Sequence, residues 1–404
     1  MNPKTKEFRK QITDIFIKSL EEKAENWERP WSISGSVPIN AATNRPYNGL
    51  NRLLLTMIAQ QKGCSDPRWA TFVQIKKNGW HLNAGSKGVQ IEYWMPYDFT
   101  KKAVISWEDY KILPTDEKAK IGITPKYYTV FSAADISGIP PQKTVPTDLH
   151  ETVQNNIRAD QVITKLSQNM GVPIYPDGQR AFYRPKEDAI HTPSPAAFKS
   201  SISYNTTCLH ELAHATGAAQ RLNRDILNSF GTANYAYEEL VAEITSAFMA
   251  GNLKIQPDER DMLNHKAYIQ SWIAEIKEKP TTLMLAIKEA TKAADYMEYK
   301  AELIKKEEYE KRISNVSTAE THESKEIIKQ EIVQNGYSLS PALISNLNIA
   351  VKSNGIHSLK DIAECYKKDH VFRDDTIKSA IMNIGHELAT QEKMMKSMEA
   401  LEVI

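Results

Sequence analysis

His210-Glu211-Leu212-Ala213-His214, set inside the apolar run Thr206 to Ala219, constrains the fold of this chain more than any other stretch. Two histidines at i and i+4 project from one side of an α-helix, so both imidazoles can reach a single ion only if this stretch is helical. Gly217 offers a stop just after the motif. Two histidines do not complete a site. A third protein ligand has to arrive from another element packed against this helix, which already demands a layered core around it. Glu211 follows the first histidine and comes to lie beside the ion, where a carboxylate can act as general base.

The third ligand is sought in Tyr237 to Ile244, the start of a second apolar-periodic helix running to about Leu253. Glu239 and Glu243 are again i and i+4, so one can bind the metal while the other accepts the free ring N–H of a ligand histidine. This Glu-x-x-x-Glu resembles the Glu-x-x-x-Asp of the thermolysin-like zincins, whose first acid is the ligand. That resemblance implies Glu239 on the metal and Glu243 behind a histidine, with Glu211 as the catalytic residue. Two histidines and a carboxylate suit Zn²⁺, and Mn²⁺ or another divalent ion would accept the same set.

The 404 residues allow two to three domains, each able to bury its own core. The formal charge of +1 predicts no partner by itself. Its distribution is uneven: residues 1–140 hold 20 Lys and Arg against 14 Asp and Glu, a net of +6, with six of the seven tryptophans. No stretch approaches the ~18 to 20 apolar residues of a membrane span, and the N-terminus is a charged amphipathic helix without a signal-peptide core. The expected location is the cytoplasm. Cys64, Cys208 and Cys365 lie far apart, which argues against a disulfide framework and against a cysteine metal site; Cys208 reads as a buried thiol.

Along the chain the spacing predicts helices over 50–61 and 69–80, strands over 89–95 and 127–131, and an antiparallel sheet between them. A proline-rich linker over 140–146 precedes a helix from Thr147 to about Met170. Two short strand-like pieces follow, at 173–175 and 181–183, and then the metal helices. Further helices are expected over 257–279 and 281–311, a hinge over 312–324, and small helices beyond it. The fold class is α+β: an α+β domain over 1–140, a mainly helical metal domain over 147–304, and a helical extension over 305–404. Trp94, Trp107, Phe72 and Phe131 read as core. His81, His150, His191 and His265 read as surface or core histidines, His191 being the nearest in sequence to the motif helix.

From about residue 5 to 300 the chain also resembles the ArdC-like antirestriction proteins of conjugative elements. The N-terminal resemblance rests on Pro30-Trp31, Asn44 to Asn51, Arg68 to Gln74, Gly85 to Val89 and Tyr128 to Ser132. The later part rests on Ala181 to Tyr183, Asp188 to Ile190, His210 to Gly217, Arg221-Leu222 and Tyr235 to Glu243. It implies an N-terminal single-stranded-DNA-binding domain, shared with TraC-type primases, and a zincin-like metallopeptidase domain whose ligands match His210, His214 and Glu239. The implied role is protection of incoming DNA during conjugation. Residues from about 305 onward lie outside the resemblance.

Single-strand binding needs cations along the backbone and aromatic faces for the bases. Trp31, Tyr47 and Trp69 are the expected stacking residues. Arg45, Arg52 and Lys87 are the expected phosphate contacts, with Lys76 and Lys77 as further cations, and Gly85 and Gly88 allowing close approach. Two alternatives stay open: a non-enzymatic DNA-binding protein braced by a structural metal, and a metalloprotease whose partner is a protein substrate or a host restriction factor.

Overall fold

The computed structural model describes residues 3–24, 37–118, 120–141, 149–224, 226, 233–255, 266–278, 280–351, 356, 359–368 and 375–402. Its class is α+β, with strands confined to the first half of the chain and helices alone beyond residue 200 among the described residues. The first stretch runs α1 (Pro3–Ala24), β1 (Ile39–Asn40), α2 (Gly49–Gln61), β2 (Arg68–Thr71), α3 (Phe72–Lys77), β3 (His81–Leu82), β4 (Val89–Asp98) and β5 (Ala103–Val104). Then come α4 (Trp107–Ile112), α5 (Thr115–Lys118), β6 (Ile121–Ser132) and β7 (Ile136–Ser137). α6 (Leu149–Met170) leads into β8 (Ile174–Tyr175), β9 (Phe182–Arg184) and β10 (Ala189–His191). The remaining elements are α7 (Ser201–Ala215), α8 (Ala233–Leu253), α9 (Lys266–Glu278), α10 (Thr281–Lys300), α11 (Lys306–Gln334), α12 (Pro341–Ala350), α13 (Leu359–Lys368) and α14 (Asp375–Glu402).

The chain divides into two compact units. The larger comprises 7–93 and 127–312. In it the strands are ordered β1, β2, β6, β4. β1 runs parallel to β2, while β2 and β6 are antiparallel with Trp69 opposite Ser132, so the sheet is mixed rather than wholly antiparallel. α2 covers one face, where Leu55 meets Tyr47, Trp69, Ile91 and Val130. Asn51 locks the helix to β4 by donating to the Glu92 carbonyl at 2.7 Å and accepting from the Glu92 N–H at 3.0 Å. The main core of this unit draws Phe16 and Leu20 of α1 and Leu53 and Met57 of α2 together with apolar residues of α6, α7, α8, α9 and α10. Residues on both sides of position 140 contribute to this core. Each fully buried Leu or Ile there contributes about 1.5–3 kcal/mol.

The smaller unit comprises 1–6, 94–126 and 313–404. There β5 pairs with the end of β4, and Ile328, Ile332, Leu343, Leu347, Ile381 and Ile384 form a separate apolar cluster. Leu339 packs on that cluster from outside it.

Three local expectations are corrected. The helix expected over 69–80 starts only at Phe72, because Trp69 and Ala70 are drawn into the sheet at 0% exposure. Thr71 then caps α3 reciprocally, accepting from Gln74 N while its own N–H donates to the Gln74 side chain. Phe72 is 48% exposed, outside the core, and Trp94 and Trp107 are only half-buried, whereas Phe131 packs on the buried cluster of Ala70, Ile75 and Ile136. The hinge expected over 312–324 is part of α11, a stretch that contains neither Gly nor Pro to break the helix.

Candidate metal centre

α7 is capped by Ser200, whose hydroxyl accepts the Ser203 N–H. Cys208, Leu209, Leu212, Ala213 and Ala215 enter the core at 0% exposure, and the remaining helix face carries His210 and His214. Their Nε2 atoms lie 3.1 Å apart. α8 packs along α7, with Leu240, Val241 and Ile244 in the same core and Glu238, Glu239 and Glu243 facing the histidines. Glu239 Oε2 is 3.4 Å from His210 Nε2, and its Oε1 is 3.7 Å from His214 Nε2.

One ligand atom from each of His210, His214 and Glu239 lies within 4.8 Å of the others. Bonds of about 2.1 Å to a tetrahedral ion would set ligand atoms about 3.4 Å apart. The 3.1 Å between the two Nε2 atoms, and the 3.4 and 3.7 Å from them to the two oxygens of Glu239, lie close to that value, so the set fits one divalent ion. The donor chemistry agrees: imidazole and carboxylate suit first-row divalent metals.

The other ring nitrogens face carboxylates. His210 Nδ1 is 3.3 Å from Glu243 Oε1, and His214 Nδ1 is 3.3 Å from Glu238 Oε1. An Nδ1 proton held by a carboxylate leaves the Nε2 lone pair for the metal. Burial opposes charge on His210, but Glu243, Glu239 and Glu211 raise its pKa well above the usual value. Burial also opposes charge on Glu239, yet hydrogen bonding from His210 and the positive field of His214 bring its carboxyl down to about 2. The Glu239 carboxyl is thus ionised at neutral pH.

Glu238 and Arg224 were not foreseen. Arg224 Nη2 and Nε donate to the two Glu238 oxygens at 2.7 and 3.0 Å, and the same guanidinium donates to Thr216 Oγ1 and the Ala213 carbonyl. The acids pair antiparallel to the histidines, the later Glu243 with His210 and the earlier Glu238 with His214. That antiparallel helix pairing is the signal that would have pointed to an acid before Glu239. Glu238→Gln is expected to weaken divalent-metal affinity about 10- to 100-fold. Competition against a chelating dye measures it, with thermal melting of the metal-free protein as a fold check; unchanged affinity would mean that packing alone orients His214.

Glu211 is 7% exposed, and its Oε2 accepts the Tyr183 N–H of β9 at 2.8 Å. The β9–β10 turn is tied to the end of α7 by Arg221, which donates to Asp188, to the Tyr183 hydroxyl at 3.1 Å and to the Ala215 carbonyl at 2.6 Å. Cys208 is buried, as expected, and burial pushes its thiol up to about 12. His191 sits between Asp177 and Glu187 at 2.8 and 2.9 Å, stacked on Phe182, and is not drawn into the metal set.

Of the residues expected to meet DNA, Arg45 and Lys87 are exposed. Three others are corrected by burial. Trp69 is 0% exposed and Tyr47 2% exposed, with the Tyr47 hydroxyl accepting from Asn40 at 3.2 Å, so neither ring has a free face. Arg52 is 5% exposed, donates to the Phe248 carbonyl at 2.7 Å and lies over the Phe248 ring, away from any surface a strand could follow. Gly88 answers to packing, since a Cβ there would meet Thr129 at 2.3 Å. Gly85 has φ +79° with open space around it. Trp31 lies outside the described residues.

The N-terminal domain of anti-restriction factor ArdC matches residues 6–131, and the zincin-like metallopeptidase family MPTase-PolyVal matches residues 161–312. The chain is ArdC-like, carrying both domains in this order. The antirestriction ArdC protein from the R388 plasmid, in its metal-free crystal structure, is 27% identical to this ArdC-like chain with a TM-score of 0.56, over 74% of this chain and 99% of that one. Its Mn(II)-bound structure gives 29% identity and a TM-score of 0.55, with the same coverage. A DNA primase TraC of Escherichia coli is 32% identical over 304 residues, or 72% of this chain. The chain spans about a quarter of that primase's length (27%). The ArdC-like fold thus joins its namesake N-terminal domain to a zincin-like domain built for a divalent metal.

Proposed function

We propose that this ArdC-like chain binds single-stranded DNA through its N-terminal domain and, through its zincin-like domain, hydrolyses a peptide bond in a protein partner, protecting DNA that enters the cytoplasm during conjugation from host restriction. The observation that carries the reading is the convergence of His210, His214 and Glu239 beside Glu211, in a chain whose other family match is the ArdC N-terminal domain. Among the described residues no helix is long and apolar enough to cross a membrane.

His210, His214 and Glu239 would hold the ion, for which we favour zinc; Mn(II), bound by the ArdC relative, suits the same donors. A bound divalent ion would supply Lewis acidity toward a carbonyl oxygen and lower the pKa of water at the site. Glu211, aimed by the Tyr183 N–H, takes the proton from the attacking water and returns it to the leaving amine. Glu243 and Glu238 hold the two imidazoles in place.

The DNA part is tested with the full chain, comparing an oligothymidylate with a duplex of equal length across a salt series. Log K for the single strand is expected to fall with log salt with a slope of about −0.7 per phosphate neutralised. A flat response, or equal affinity for the duplex, would remove single-stranded DNA from the reading.

A further inference from the structure

Burial of Tyr47 and Trp69 leaves the N-terminal domain without the stacking faces that its sequence suggests, yet the same sheet carries exposed aromatic rings elsewhere. Tyr93 on β4 and Tyr128 on β6 are each 42% exposed, on neighbouring strands, with ring centroids 6.0 Å apart at 77°. Two residues away on the same strands, Ile91 and Val130 are buried beneath α2 at 1% and 0% exposure. Strand alternation puts Ile91 with Tyr93, and Val130 with Tyr128, on one face. The helix therefore covers one end of that face and leaves the two rings open, backed by packed core.

Cations accompany them. β2 gives way to α3 directly after the Thr71–Val130 pair, and there Phe72 is 48% exposed with Lys76 Nζ 5.1 Å from its ring centre. Arg45 is presented by a turn that Asn40 Oδ1 closes, accepting from the Ala42 and Thr43 N–H groups at 3.1 Å each. Lys77 and Lys87 are also exposed. Exposed aromatic rings and exposed cations on one domain match a chain of unpaired bases on a phosphate backbone; the bases of a duplex are already stacked and cannot reach such rings.

We infer that Tyr93 and Tyr128 are the base-stacking platform of this domain, with Arg45 and Lys76 serving the phosphates of the same strand. This rests on the proposed single-stranded-DNA reading and replaces Tyr47 and Trp69 in it. Tyrosine gives each base a broad apolar face, and the near-perpendicular pair lets one base lie on one ring while its edge meets the other.

The test uses the full chain and its Tyr93→Ala/Tyr128→Ala and Tyr93→Phe/Tyr128→Phe variants, titrated by fluorescence anisotropy. The probes are an oligothymidylate of about 20 nucleotides and an abasic strand of the same length. The alanine pair is expected to bind the oligothymidylate about 10- to 100-fold more weakly, with the salt slope unchanged because no phosphate contact is lost. The phenylalanine pair should stay within about threefold, and on the abasic strand all three proteins should bind alike. Equal losses on both strands would indicate damage to the fold and overturn the platform. Wild-type affinity in the alanine pair would also overturn it, while leaving single-strand binding standing. No binding by the wild type would remove both.

Discussion

Replacing Glu211 by glutamine is expected to lower peptide hydrolysis about 100- to 10,000-fold while leaving the metal and DNA affinities of the chain unchanged. The substitution is nearly isosteric, and the side-chain amide oxygen it introduces can still accept the Tyr183 N–H that Glu211 holds at 2.8 Å. In the proposed site the ion would be held by other groups, His210, His214 and Glu239, so the substitution would remove only the proposed proton acceptor. Hydrolysis of fluorescently labelled casein by the metal-loaded protein measures the first effect, and dye competition measures metal affinity. The same variant separates two readings of the zincin-like domain in a plasmid-transfer assay against a restricting host. Loss of protection together with hydrolysis ties the biological role to proteolysis. Protection that survives without hydrolysis would make the metal a brace for the fold and leave the DNA-binding domain to act alone.

Trp69→Ala should cost about 3–5 kcal/mol of stability, a large share of the roughly 5–15 kcal/mol that holds a typical domain together. Trp69 is fully buried in β2, between Asn40 of β1 and Ser132 of β6, and packs on Tyr47, Leu55, Ile91 and Val130. Its removal opens a cavity under α2 that the sheet cannot close without breaking strand pairs. Trp69→Phe should cost much less, because it keeps most of the volume and deletes an indole N–H that has no acceptor among the described residues. Urea unfolding followed by circular dichroism gives both values. DNA binding by Trp69→Ala should decline only with the folded fraction. A variant that stayed folded and lost oligonucleotide binding would show that Trp69 does reach the strand, against its burial.

The tryptophan and tyrosine corrections share a cause with the convergence of side chains at the candidate metal centre. His210 and His214 were legible because i and i+4 on one helix share a face whatever the rest of the chain does. Glu239 and Glu243 were legible for the same reason, as a second pair on a second helix, and the structure sets both acids against the histidines. Glu238 was not, since adjacent helical residues diverge; it reaches His214 because α8 runs antiparallel to α7. Arg224 was invisible altogether, coming from the segment between the two helices to bridge Glu238 and the end of α7. The β2–α3 boundary failed for a related reason. Trp69 and Ala70 follow a helix-compatible pattern, and only the arrival of Ser132 and Phe131 from β6 draws them into a sheet.

Sequence alone therefore determined the α+β class, the helices that carry the candidate metal ligands and the resemblance to the ArdC-like proteins, all of which follow from short-range periodicity or from motifs in a fixed order. Tertiary structure decided which acid serves which histidine, how Glu211 is aimed, and which aromatic rings of the N-terminal sheet are open to a partner. Those depend on contacts between segments tens to hundreds of residues apart: Arg52 is sealed by Phe248 of α8, and Trp69 by α2 and β6. A side chain's exposure is set by whatever segment covers it, and that partner is not encoded in the residue's own neighbourhood.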